Sequence, residues 1–357
     1  MTTNGIVRWK LSLERDEDMT TVGITNIVAA MDGTLYYALS WLKNDLYLNK
    51  ICRILDSETD KPVTTCSSNT LSSLIVQDVL SVDDSFEFLT TTFFGEKLGI
   101  INTSDLQVNY HSQQETASSF QSHYNSDQTG FFWISDDNHL RKVNRNGIQL
   151  LDKYVSSGGN KYYAYDAQYG TIIRVWQNLS LIPSPFAVSA WNINTLNEIH
   201  LLWEWNQFNY TYTTGSHPVI DPISKTTYFS ILPNLYAIDS NGKTLWKTQI
   251  ASQEEIDKFE LITTCIALNT ETRIAYIPIR TFHSFNPSAP AMLFLVPVQT
   301  NDGKALPRIK FDLDTNASVF LSCPILVGNE LLYFSWYSQS SSDTALLRLV
   351  GISQIQA

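Results

Sequence analysis

Only four cysteines occur in the 357 residues, at positions 52, 66, 265 and 323, and no two of them form a Cys-x-x-Cys pair. That spacing reads as neither a zinc framework nor a disulfide scaffold. No run of about 18 apolar residues is present, which excludes a helical membrane span. Basic charge is scarce too. The chain has 24 Lys and Arg against 35 Asp and Glu, a net charge of −11. An acidic chain repels phosphate backbones, so nucleic acid is not an expected partner. The densest basic run, Arg141, Lys142 and Arg145, flanks a turn and reads as solvation of a strand end. Chemistry-bearing motifs are also missing: there is no Gly-rich phosphate loop, nucleophile elbow or His-Glu-x-x-His. The opening residues Met-Thr-Thr-Asn-Gly do not resemble a signal peptide, so cytoplasmic residence is the default expectation. Four Asn-x-Ser/Thr sequons begin at Asn102, Asn178, Asn209 and Asn316. A chain this rich in Asn, Ser and Thr holds several by chance, so they say little by themselves.

What is abundant is strand-forming sequence. Hydrophobic residues make up 43% and aromatics 12%, ample for a core. Nearly every apolar segment is a short stretch rich in Val, Ile, Tyr, Phe and Trp, closed by turn residues. One stretch reads as a short helix, because Ser252 and Glu255 form a capping-box pattern ahead of Ile256 and Phe259. No shift in composition divides the chain, although its length exceeds what one compact core holds. An architecture that adds core in modules resolves that conflict.

The clearest module runs from His217 to Ile250. Its strands are His217–Pro222, Thr227–Ile231, Asn234–Asp239 and Lys243–Ile250, separated by turns at Ser224-Lys225 and Asn241-Gly242. Four antiparallel strands in meander order make one propeller blade. The turn between first and second strands recurs at Asp32-Gly33, Asp83-Asp84, Gln128-Thr-Gly130, Gln168-Tyr-Gly170, Thr270-Glu271 and Gly328-Asn329. The polar turn between third and fourth strands recurs near Ser57, Ser104, Asn146, Asn194 and Asp302. Repetition at about 40–50 residues points to a propeller. The expected fold is therefore all-β: a seven-bladed β-propeller of four-stranded antiparallel blades, with repeats at approximately 23–66, 74–112, 119–156, 160–206, 216–250, 260–313 and 318–357. Asn4–Leu13 copies Asn241–Ile250, with the same Gly-to-Trp spacing, while the last repeat lacks a fourth strand. Residues 1–13, through Val7, Trp9 and Leu11, are thus expected to supply the outer strand of the last blade and close the ring.

The string Leu235-Tyr-Ala-Ile-Asp239, Gly242 and Trp246 resembles the tryptophan-docking repeat of pyrroloquinoline-quinone-type propellers. Asn4 to Trp9 matches its final part; elsewhere Leu151 and Tyr110 replace the tryptophan. The resemblance implies that Gly fixes the hairpin while the outer-strand Trp246 is buried against the neighbouring blade. The quinoprotein dehydrogenases of that superfamily carry eight blades and adjacent cysteines. This chain has neither, so its resemblance is to the cofactor-free branch and no cofactor is expected.

Inner strands line a propeller's channel. His123, His217, Cys265 and Cys323 fall near one level there, a set chemically suited to Zn²⁺. A seven-bladed channel is wide and none of the four is paired in sequence, so no metal is expected. The long connections are the stronger signal: Trp41–Leu46, Gln177–Pro185, Thr281–Pro290, Tyr337–Asp343 and the interblade Asn206–Ser216. They all open on one face. Trp41, Arg174, Trp176, Tyr210, Tyr212, Arg280, Phe282, Phe285 and Trp336 lie on or beside them, and aromatics with arginine are what interfaces use as anchors. The expected function is a non-catalytic, monomeric scaffold that binds a protein or peptide through this face. An enzyme using the central funnel, quinoprotein-like or hydrolytic, and a carbohydrate-binding propeller are the alternatives.

Overall fold

The computed structural model describes residues 2–4, 6–13, 21–24, 27–29, 33–43, 46–56, 59, 61–67, 71–72, 98–102, 105–111, 125–127, 130–134, 139–144, 148–154, 161–166, 170–177, 186–195, 198–207, 215–258, 260–263, 265–282, 292–311, 318–321, 324–327, 331–339 and 345–353. The described strands gather into seven sheets that follow one another along the chain. The third, fourth and fifth are four-stranded antiparallel meanders in strict chain order. The fifth is the module read from the sequence, with strands Val219–Ile220, Thr227–Ile231, Asn234–Ile238 and Thr244–Gln249. Its two central strands are buried along their whole length, because sheets stacked face to face cover both sides of a central strand. Its outer strand instead alternates between exposed and half-buried positions.

Turn chemistry explains where these strands stop. The eight described residues with positive φ all lie on hairpin turns. Gly33, Gly170, Lys225 and Arg273 precede second strands, Asp56, Gly242 and Gly303 sit between third and fourth strands, and Leu106 lies in the hairpin that joins the two described strands of the second sheet. Asx turns support them. Asp239 Oδ1 accepts from the backbone N–H of Asn241 (2.9 Å) and Lys243 (2.8 Å), and Asp221 Oδ1 accepts from Ile223 N–H at 2.9 Å. Short polar side chains that bond their own backbone favour such turns over continued strand. In the sixth sheet the two hairpins meet, as Thr300 N–H donates to Arg273 O at 2.9 Å and Arg273 Nη1 to Asn301 Oδ1 at 3.0 Å. Both short turns therefore open on the same side of that sheet.

Adjacent sheets share cores. Ile173, Val175, Phe186 and Val188 of the fourth pack with Phe229, Ile231, Tyr236 and Ile238 of the fifth. The fifth meets the sixth through Tyr228, Leu235 and Ala237 against Ala275, Ile277 and Val296. In the first sheet Ile27, Leu35, Tyr37, Cys52 and Ile54 form a cluster against which Ile325 of the last sheet packs. The first and last sheets are therefore in contact.

The N-terminal residues form two strands that pair with two sheets. Ile6–Leu13 pairs antiparallel with Ala345–Ser353, bringing Val7 opposite Ile352, Trp9 opposite Gly351 and Leu11 opposite Leu349. The segment expected as one strand is split, however. Thr2–Asn4 instead pairs in parallel with Arg308–Lys310 on the outer edge of the sixth sheet. The first residues thus cover the edges of two neighbouring sheets, which removes unpaired backbone groups from both.

The cysteine reading needs correction. Cys52 and Cys66 are joined by a disulfide, and Cys265 is disulfide-bonded as well. Spacing along the chain could not show this, because the bond arises from strand register. Leu46–Leu55 and Val63–Cys66 pair antiparallel with Cys52 directly opposite Cys66. As a disulfide sulfur, Cys265 cannot serve as the thiolate ligand considered for the channel.

The helix forms where the capping pattern lies, over Gln253–Lys258. Ser252 N–H donates to Glu255 Oε2 at 2.7 Å, and Glu255 N–H donates to Ser252 Oγ at 3.2 Å. Arg308 clamps the cap by donating to Glu255 Oε1 (2.5 Å), Glu255 Oε2 (3.1 Å) and Ile250 O (2.7 Å). Burial opposes the charge on Glu255, but the Arg308 and Ser252 donors outweigh it and hold its carboxyl below the usual range. A depressed carboxyl stabilises the fold above its unfolded pKa, and that contribution fades as pH falls through its folded value. Arg308→Gln is therefore expected to cost about 1 kcal/mol at neutral pH. Urea titrations should show the gap to the parent chain closing as Glu255 protonates.

Candidate functional site

The face opposite the short turns carries the joins between second and third strands. In the fifth sheet those strands are five residues each. They are longer elsewhere: nine and ten in the first sheet, seven and ten in the fourth, nine and eight in the sixth, nine and nine in the last. The inner strand follows this growth by dividing. Thr21–Ile24 and Val28–Ala29 both pair with Leu35–Lys43. Glu260–Thr263 and Ala267–Asn269 both pair with Ile274–Phe282, and Ser318–Leu321 and Ile325–Val327 with Leu331–Gln339. The described ends of the segments read as loops, Trp41–Lys43, Thr281–Phe282 and Tyr337–Gln339, are therefore paired strand, while 44–45, 178–185, 208–214, 283–291 and 340–344 lie outside the described residues. Residues such as Trp, Leu, Ile and Thr favour pleated sheet there.

Placement of the candidate residues follows from this. Trp41, expected on a connection, is in a strand between Val22 and Leu48 and only 6% exposed. Arg174 stands between Tyr163 and Ser189 and is 1% exposed, its guanidinium 5.1 Å from the ring centre of the half-buried Trp176. A cation over a desolvated indole face is held by the ring quadrupole. Trp41 and Arg174 thus belong to a buried upper tier, along with Phe186, Leu293 and Thr281. Arg280 is half-buried, opposite Ile262 and Leu293. Phe282 ends its strand opposite Glu260, and Trp336 lies opposite Leu321 and Arg348. Tyr210, Tyr212 and Phe285 lie outside the described residues, as do His123 and Cys323. Among the described residues the structure brings Arg174 to Trp176.

On the other face the tryptophans do what the repeat implies. The Trp246 indole covers Gly303 of the next sheet so closely that an added Cβ would lie 2.7 Å from the ring, and its Nε1 donates to Thr300 O at 3.1 Å. Trp246, expected to be buried against the neighbouring blade, is half-buried. Sequence reading missed a second instance, Trp203 of the fourth sheet over Gly242 of the fifth, where an added Cβ would lie 2.9 Å from the ring. Trp205 Nε1 reinforces that junction through Thr244 Oγ1 at 3.1 Å. In both cases an outer-strand indole needs a glycine at positive φ on the neighbour's hairpin, since only glycine leaves room for the ring.

Among the described residues no three His, Cys, Asp or Glu side chains gather to hold a metal ion. Burial pushes the phenols of Tyr37, Tyr228 and Tyr276 above their ordinary range. Each of the three is thereby kept protonated, as a core residue is.

Comparison of the whole chain with solved structures fits this arrangement. A chain in the crystal structure of the mitotic checkpoint complex matches with a TM-score of 0.63 and 10% identity, over 99% of this chain and 96% of that one. The chain is a β-propeller. Sqt1 of Saccharomyces cerevisiae matches this propeller with a TM-score of 0.51 and 12% identity, over 97% and 99% of the two chains. Identities so low establish the fold and nothing narrower. No family model and no curated protein matches the chain. No helix among the described residues is long and apolar enough to cross a membrane.

Proposed function

We propose that this propeller is a non-catalytic scaffold that binds a protein or peptide through its elaborated face. The observation that carries the reading is the selective growth of the second and third strands in the first, fourth, sixth and last sheets. The short hairpins opposite keep their minimal turns. Strand growth raises the far ends of these hairpins above the common core, where they and the interblade connection 206–216 can meet a partner. The matched chain in the mitotic checkpoint complex belongs, by its name, to a multiprotein assembly, and that supports the same reading.

In this proposal the ring has seven blades and closes through Ile6–Leu13. It is akin to the cofactor-free, pyrroloquinoline-quinone-type propellers, a reading that the two tryptophan–glycine contacts support. Tyr210, Tyr212, Phe282 and Phe285 provide the aromatic contact surface, with Trp336 beside them. Arg280 supplies charge, and Arg174 with Trp176 forms the rigid support beneath. Tyr212→Ala combined with Phe285→Ala is expected to abolish capture of the partner and leave stability within about 1 kcal/mol, as for exposed positions. Undiminished capture, or a variant that unfolds, would show that the surface lies elsewhere.

A further inference from the structure

The cysteines carry a consequence for where this chain lives. We propose that it matures in an oxidising, extracytoplasmic compartment and that Asn102 accepts an N-linked glycan. Cys52 and Cys66 are bonded to each other, Cys265 is disulfide-bonded, and no cysteine among the described residues is free. Cytosolic thiols are kept reduced by the glutathione and thioredoxin systems, so structural disulfides belong to secreted, lumenal or periplasmic chains. Cys52 is completely buried within the apolar cluster between the first sheet and Ile325 of the last. It is a structural staple rather than a surface thiol caught by oxidant.

Against that background the sequon Asn102-Thr-Ser becomes meaningful. Asn102 is the last residue of Leu98–Asn102 and pairs with Gln107, the first residue of the returning strand. The chain thus leaves the strand after Asn102, at the hairpin that joins the two described strands of the second sheet. Beyond it Asp105 is exposed, its carboxylate accepting from Gln107 N–H at 3.0 Å, and Leu106 takes positive φ to complete the turn. Hairpin tips are accessible to modifying enzymes, and Asn102 is the strand residue from which the chain enters this tip. The donor would be a polyprenyl-diphosphate-linked oligosaccharide. The Asn102 amide nitrogen attacks the sugar C1, the bond from C1 to the diphosphate oxygen breaks, the diphosphate leaves with the electron pair, and the amide gives up one proton.

Asn178, Asn209 and Asn316 begin the other sequons and lie outside the described residues. Asn178 and Asn209 are close in sequence to Trp176, Tyr210 and Tyr212 of the proposed binding face, whereas Asn102 is remote in sequence from every residue of that face, so its modification is tested independently of the binding proposal.

The test uses the full chain isolated from its own cells. Digestion without reductant should release the 52 and 66 peptides as one cross-linked species. Treatment with peptide N-glycosidase in ¹⁸O-water should convert Asn102 to ¹⁸O-labelled aspartate. Ser104→Ala should remove the glycan at this site completely, whereas Ser104→Thr should retain it. An Asn102 peptide found wholly unmodified in the native protein, or Cys52 found as a free thiol, would overturn the proposal.

Discussion

Gly303→Ala is expected to destabilise this propeller by about 4 kcal/mol. Two costs combine at that position. Gly303 has φ of +74°, where a residue with a Cβ is disfavoured by roughly 1–2 kcal/mol. The new methyl group would also sit 2.7 Å from the Trp246 ring and 2.6 Å from Thr248 Oγ1. Overpacking of that kind costs about 1–3 kcal/mol. The indole cannot retreat freely, because its Nε1 is bonded to Thr300 O and its ring lies 5.7 Å from that of Tyr228. Trp246→Ala should cost about 3 kcal/mol, at the lower end for a large aromatic because the ring is only partly buried. The double variant should be less destabilised than the sum, since one substitution relieves the other's clash. Urea midpoints for the three variants check the claim; additive losses would mean that ring and glycine do not act as a pair.

Removing residues 1–13 is expected to have the larger effect. It takes Thr2–Asn4 from the sixth sheet and Ile6–Leu13 from the last, leaving two neighbouring edges unpaired. The loss should be on the order of 5 kcal/mol or more, a large fraction of what holds an ordinary domain folded. The exposed edges of Ala345–Ser353 and Arg308–Phe311 would also invite pairing with other chains. Thermal unfolding and light scattering read both consequences. A truncated chain that melts within a degree of the parent and stays dispersed would show that the N-terminal pairing contributes little.

How much of this could be read from residues alone follows from the range of the forces involved. Turns are local, and positive φ falls at Gly33, Gly170, Lys225, Gly242 and Gly303, within the turns marked by Gly, Asp and Asn. The Ser252–Glu255 cap is equally local and forms where the pattern lies. The copy of an outer strand at Asn4–Leu13 was legible because a missing fourth strand called for it. Its division into two pairings was not, since nothing in the sequence tells the edge of the sixth sheet from that of the last. Register also decides the disulfide, by setting Cys52 opposite Cys66. Trp203 escaped notice because its own hairpin lacks the glycine-to-tryptophan spacing; its glycine, Gly242, belongs to the neighbouring sheet.

The candidate face was legible in part. Position along the repeat singled out Trp41 and Arg174 as binding residues on or beside connections; the structure puts them in long strands of the first and fourth sheets, and position does not reveal burial. Both turn inward because the hairpins rise as paired strands with a core of their own, in which Phe186 and Leu293 are 1% exposed. An arginine in such a tier reads in sequence like one at an interface. The two differ only in what packs around them, and that is set by neighbouring sheets.

Ring accessibility tests the central claim, an exposed aromatic binding face, most directly. The chain supplies its own standards: Tyr154 is 58% exposed, and Trp41 is 6% exposed. Hydroxyl-radical footprinting of the intact protein, read residue by residue by mass spectrometry and corrected for intrinsic ring reactivity, would place the candidates on that scale. The account predicts that Tyr210, Tyr212, Phe282 and Phe285 oxidise at rates comparable with Tyr154. Rates as low as that of Trp41 would contradict it, making these rings part of the buried tier and leaving the elaborated face without its contact surface.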